Sequence, residues 1–149
     1  MKASVRWFQD AMFVGESGSG HAVVMDGAPD AGGRNLGVRP MEMLLLGLGG
    51  CTAFDVVMIL KRGREPVAGC VVDMDAQRAG TEPKVFTRIV MRYRISGRGL
   101  DPQKVERAVN LSAEKYCSAT AMLAKTAQIT HEIEIVDISQ PDSGSGATA

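Results

Sequence analysis

The chain has 149 residues, 17 basic and 17 acidic side chains, no net charge and 45% hydrophobic residues. That length suits one domain with a real core, and the balanced charge argues against a protein that binds nucleic acid or a membrane surface through bulk electrostatics. In a cytoplasmic setting, three cysteines argue against structural disulfides and allow a functional pair.

The N-terminus alternates at once, Met1-Lys2-Ala3-Ser4-Val5-Arg6-Trp7, like a strand and unlike a secretory leader. Residues 2–9, 12–17 and 21–26 alternate between short turn signals and predict an antiparallel meander. Residues 27–39 carry four glycines, a proline and two arginines, Arg34 and Arg39, and predict a long loop.

Pro40 then opens a helix that runs to Lys61. Its missing N–H is harmless in a first turn, and Glu42 suits the positive end of the dipole. The run that follows is apolar on nearly every face, so a long central helix buried all round is expected. Gly47, Gly49 and Gly50 each weaken such a helix by roughly 1 kcal/mol, which predicts close approach of another backbone. Asp55 and the glycines argue against a membrane span, so a soluble cytoplasmic protein without membrane partners is expected.

Basic residues and Gly63 mark the end of the helix. Residues 69–78 place Cys70, Val72, Met74 and Ala76 on one face. Residues 85–96 place Val85, Thr87, Ile89, Met91, Tyr93 and Ile95 inward, with Arg88, Arg92 and Arg94 outward, and Gly80 to Pro83 makes a hairpin of the pair. Asp101-Pro102 starts a helix carrying Val105, Ala108, Val109 and Leu111. A short helix capped by the Ser118 hydroxyl is expected through Ala127, then a strand over 128–138. The order makes an α+β chain with one domain over 1–138 and a polar, disordered tail over 139–149.

Cys51 is the one reactive side chain in the apolar helix, and reads either as a small core hydrophobe or as a nucleophile. Cys117 precedes a helix start, where N–H groups favour a thiolate, with Lys115 nearby; core packing is the other reading. Cys70 reads as core. His131 reads as a satisfied histidine at the core edge. No cysteine or histidine spacing predicts a metal, and no glycine motif predicts a nucleotide, so no cofactor is expected. Asp55 shares a helical face with Cys51. It reads either as a partner for an arginine inside a site or as a carboxylate paired at a buried interface.

The proline-led helix with Gly-Gly-Cys51, the downstream Leu111-Ser112-Ala113-Glu114-Lys115-Tyr116-Cys117 and the order of elements together resemble the OsmC/Ohr family, the osmotically inducible and organic hydroperoxide resistance proteins, and within it the YhfA-type branch. The resemblance covers the chain except its tail. It implies an intertwined homodimer with the cysteine helices at its centre. It also implies a peroxidatic Cys51, a resolving Cys117, an organic hydroperoxide substrate, a dithiol or lipoyl-type reductant, and no metal, flavin or haem.

Two positions depart from that pattern. Met41 stands where the peroxidases carry a glutamate directly after the proline, and Glu42 is one residue late, turned about 100° round the helix. Residues 10–26 hold no arginine, so Arg34 and Arg39 are the candidate replacements. Supporting roles therefore fall to Glu42, Asp55 and Arg39. The other reading the departures allow is a non-catalytic dimer that binds a small apolar ligand or responds to redox conditions.

Overall fold

The structure, a computed structural model, describes residues 1–139; the tail expected beyond that point lies outside the described residues. The chain divides into two compact units, Met1–Leu46 and Gly47 onward.

The first unit is the expected meander: β1 (Ala3–Gln9), β2 (Met12–Ser17) and β3 (Ala22–Met25), antiparallel in the order β1-β2-β3. The β1–β2 turn holds Asp10 at φ 48, a left-handed conformation aspartate tolerates, and the Trp7 indole N–H donates to the Asp10 carbonyl at 2.9 Å. The loop that follows is organised by Asp26, which is 2% exposed. Its carboxylate accepts the backbone N–H groups of Gly27, Arg34 and Leu36 at 2.8–3.1 Å. Those bonds, the one from Leu36 foremost, hold its carboxyl below the usual aspartate range.

Helix α1 (Pro40–Arg62) starts at the expected proline. Glu42 reaches back to accept the Arg39 N–H at 2.9 Å, closing the first turn as a capping glutamate does. At the other end Gly63 lies just past the last helical residue, as expected, and Arg64 takes the left-handed conformation, at φ 59.

Gly47 onward builds the second sheet from β4 (Val67–Arg78), β5 (Phe86–Gly97) and β6 (Gln128–Asp137), in that order. β4 and β5 form the expected hairpin, but β6 runs parallel to β5, so this sheet is mixed rather than antiparallel. The helical crossover between β5 and β6 makes that direction possible. Ile89, Met91, Tyr93 and Ile95 are buried as the alternation predicts. Thr87, expected inward, is exposed and Phe86 is buried instead, where the ladder slips between Gln77 and Arg78.

The crossover holds α2 (Pro102–Leu111), a single π-helical turn (Ser112–Tyr116) and α3 (Ser118–Leu123). Asp101 caps α2 as expected, accepting the Gln103 N–H at 2.9 Å. Val105, Ala108 and Val109 are its buried stripe.

The part of α1 in this unit packs along one stripe, Leu48, Thr52, Val56 and Leu60, at a spacing of four. The expectation of burial all round is not met within one chain: Phe54 is 66% exposed, and in the first unit Leu44 and Leu46 are 49% and 57% exposed. The glycines differ from expectation too. A Cβ on Gly49 would meet the Met74 methyl at 2.6 Å, a side chain and not a backbone, whereas Gly47 and Gly50 face nothing within 4 Å. Periodicity reports which faces are apolar; it does not report what covers them.

Candidate active site: a cysteine pair over a hydroxyl chain

Cys51 lies in the middle of α1, one residue before the buried Thr52. Cys117 is delivered by the π turn, whose defining bond runs from the Cys117 N–H to the Ser112 carbonyl at 2.8 Å. Such turns insert an extra residue into a helical path and recur at functional sites. The fold thus brings together two cysteines 66 positions apart. The Cys51 sulfur, the Cys117 sulfur and an Asp55 carboxylate oxygen all lie within 4.8 Å of one another.

The two thiols differ. Cys51 is half-buried, whereas Cys117 is 3% exposed. Cys117 is itself the N-cap of α3: its sulfur accepts the Thr120 N–H at 3.4 Å, where the sequence pointed to the Ser118 hydroxyl. The helix also stops at Leu123, short of Ala127. Burial pushes the Cys117 thiol up. The Thr120 groups pull the other way and are outweighed, and the Cys51 thiol beside it adds to the rise. A thiolate favoured by a helix start is therefore not what this environment gives Cys117. The Thr120 hydroxyl is buried without a hydrogen-bond partner among the described residues.

Asp55 is held from behind. The Ser112 hydroxyl donates to its Oδ2 at 3.1 Å. Ser112 has one proton, so Thr52 must donate to Ser112 Oγ at 2.9 Å, and the Tyr93 hydroxyl must donate to Thr52 Oγ1 at 2.8 Å. That leaves Met91 Sδ, 3.9 Å from the same tyrosine oxygen, as a contact only. Tyr93, Thr52 and Ser112 are each 1% exposed or less. Burial drives the Tyr93 hydroxyl up to about 12, so the phenol keeps its proton and the chain keeps its direction. Nothing at the level of motif announces these residues. The available signal is Thr52, a lone hydroxyl inside an apolar helix beside the cysteine.

The remaining candidates have the following surroundings. Arg39 and Glu42 engage each other in the first unit: the guanidinium lies 3.3 Å from Glu42 Oε1, in addition to the backbone cap. Arg34 lies in the same unit with its guanidinium 4.0 Å from Asp10. Cys70, on β4, is half-buried and lines a cavity of about 360 Å³ with Phe54, Val57 and Met58; burial raises its thiol. His131, on β6, packs its ring 5.8 Å from that of Tyr93. It is not a satisfied histidine: Nδ1 is buried without a partner among the described residues, and burial lowers its pKa from the ordinary 6.5.

A mixed sheet with a crossover helix and a long helix carrying a cysteine opposite a second cysteine defines the α+β thiol proteins of the OsmC type. Residues 32–132 match the OsmC-like protein family, and the chain belongs to it. It is 46% identical over 136 residues to Protein YhfA of Escherichia coli strain K12, covering 91% of this chain and 98% of that protein. A hypothetical protein from Aquifex aeolicus VF5 superposes with a TM-score of 0.79 at 27% identity, over 91% of this chain and 95% of its own. An organic hydroperoxide resistance protein OsmC from Legionella pneumophila shares the fold with a TM-score of 0.67 at 13% identity, over 89% of this chain and 95% of its own.

Proposed function

We propose that this chain is a thiol-dependent peroxidase that reduces organic hydroperoxides through Cys51 and Cys117. The observation that carries the reading is the approach of the two sulfurs to within 4.8 Å, one half-buried and one enclosed. Family membership supports the same chemistry.

Cys51, the more accessible sulfur, attacks the terminal peroxide oxygen. The O–O bond breaks, the alcohol leaves with the thiol's proton, and Cys51 becomes a sulfenic acid. The Cys117 sulfur then attacks the Cys51 sulfur, water leaves, and the disulfide forms. An external dithiol of the lipoyl type reduces that disulfide by exchange and is itself oxidised. A resolving thiol is needed only after the first step, so a Cys117 that burial keeps protonated is compatible with its part. Apolar side chains around α1 favour an alkyl hydroperoxide over hydrogen peroxide. A homodimer in the cytoplasm is part of the proposal; the uncovered Phe54, Leu44 and Leu46 supply the surface for it.

Stopped-flow mixing with cumene hydroperoxide and a dihydrolipoyl reductant tests this. Turnover is expected in the native chain and lost in Cys51→Ser, while Cys117→Ser should accumulate a trappable sulfenic acid. Equal peroxide consumption by Cys51→Ser would remove the proposal. The engagement of Glu42 and Arg39 with each other in a helix cap favours a second reading, a non-catalytic dimer that binds a small apolar ligand. Intact mass after one equivalent of peroxide separates the two: loss of two hydrogens marks the disulfide and excludes the second reading.

A further inference from the structure

The sequence holds no metal-binding spacing, yet folding assembles three ligands of two types in one place. We propose that Cys51, Cys117 and Asp55 form a binding site for a thiophilic divalent cation, zinc above all, in the reduced protein. Two thiolates and one carboxylate oxygen are a donor set zinc accepts, with a fourth position left for water. Donor atoms within 4.8 Å of one another need only side-chain rotation to reach a tetrahedral edge of roughly 3.8 Å, given zinc–sulfur bonds of about 2.3 Å.

The strongest support is behind the donors rather than among them. Metal-binding carboxylates are oriented by outer hydrogen bonds. Asp55 has such a bond: the Ser112 hydroxyl donates to Oδ2 at 3.1 Å, and a carboxylate oxygen of the same residue lies within 4.8 Å of both sulfurs. Ser112 is fixed in turn by Thr52 and Tyr93, all fully enclosed. Thr120, whose N–H donates to the Cys117 sulfur at 3.4 Å, also carries a buried hydroxyl with no hydrogen-bond partner among the described residues. A bare redox pair requires neither a carboxylate at this distance nor an elaborate mount for it. Cys70, a free thiol that is not a member of the cluster, provides the internal control.

Binding converts two thiols to thiolates and releases two protons. The metal takes up both sulfurs, so the loaded form cannot close the disulfide until the cation leaves. Metal and peroxide therefore compete for one pair of atoms.

The test is titration of the reduced, metal-free full chain with Co²⁺, followed by Zn²⁺. One Co²⁺ per chain with a sulfur-to-cobalt charge-transfer band and tetrahedral visible bands is expected, displaced by one Zn²⁺. Cys51→Ser and Cys117→Ser should lose the band, and Cys70→Ser should retain it. Ser112→Ala, which leaves every donor in place, should weaken binding about 10-fold or more. Asp55→Cys should bind with a charge-transfer intensity about half as large again, since a third sulfur replaces the oxygen. An unchanged band in Asp55→Cys, no band in the native chain, or full affinity in Ser112→Ala would each overturn the site. None of these measurements uses peroxide, so their failure is distinct from failure of the peroxidase reading.

Discussion

The two faces of β5 carry polar groups of opposite kinds. Outward, Arg92 and Arg94 pair with Glu132 and Glu134 of β6 at 2.9 and 3.0 Å, with every partner at least half exposed. Inward, Tyr93 begins the enclosed hydroxyl chain to Thr52, Ser112 and Asp55. The outer pairs are closer to full charges, yet water competes for both partners and each is worth about 0.2–1 kcal/mol. Two of the three inner bonds are between neutral hydroxyls, but a member left alone has no water to turn to, and that costs about 1–3 kcal/mol. One strand therefore shows that enclosure, more than formal charge, decides what a polar group contributes.

Thr52→Val should break this contrast most. It keeps the shape but takes the oxygen acceptor from Tyr93 and leaves Ser112 bonded to Asp55 alone, so a loss of about 3 kcal/mol in urea unfolding is expected, partly recovered in Thr52→Val/Tyr93→Phe. Ser112→Ala removes the donor to Asp55 and the acceptor for Thr52, and should cost about 1–3 kcal/mol.

His131 sharpens the comparison by pH. Its folded pKa is lowered by burial, so below the ordinary 6.5 the unfolded chain binds a proton that the folded chain does not. Stability should therefore be fully present above that value and fall as pH drops beneath it, and His131→Leu should flatten this part of the profile. Arg94→Ala, on the outer face, should shift unfolding by less than about 1 kcal/mol, and less still in high salt.

Much of the frame was legible because its signals are local. Pro40, Asp101 and the alternation of β1 to β5 each act within a few residues of themselves. The direction of β6 was not legible, since a strand of Ile129, Ile133 and Ile135 alternates equally well either way along its neighbour. The helix start at Ser118 is legible in the sequence, but its cap lies one residue earlier, at Cys117, because sulfur accepts an N–H less often than a hydroxyl does. Cys51 and Cys117 stood out by chemistry and by resemblance. Their support did not: Thr52, Ser112 and Tyr93 meet only when three elements have folded, and each alone is an ordinary residue. Asp26 was missed for a similar reason, since its role is to collect N–H groups from a loop of no fixed pattern.

Ser112 serves the cluster with two oxygens of unequal replaceability. Its carbonyl anchors the backbone of Cys117, and any residue of helical conformation would supply that oxygen. Its hydroxyl steadies Asp55, and only a short side chain bearing an O–H would do so. Exchange at this position would thus retune the carboxylate while leaving the second sulfur where it is, giving the protein a single adjustable joint between acid and thiol.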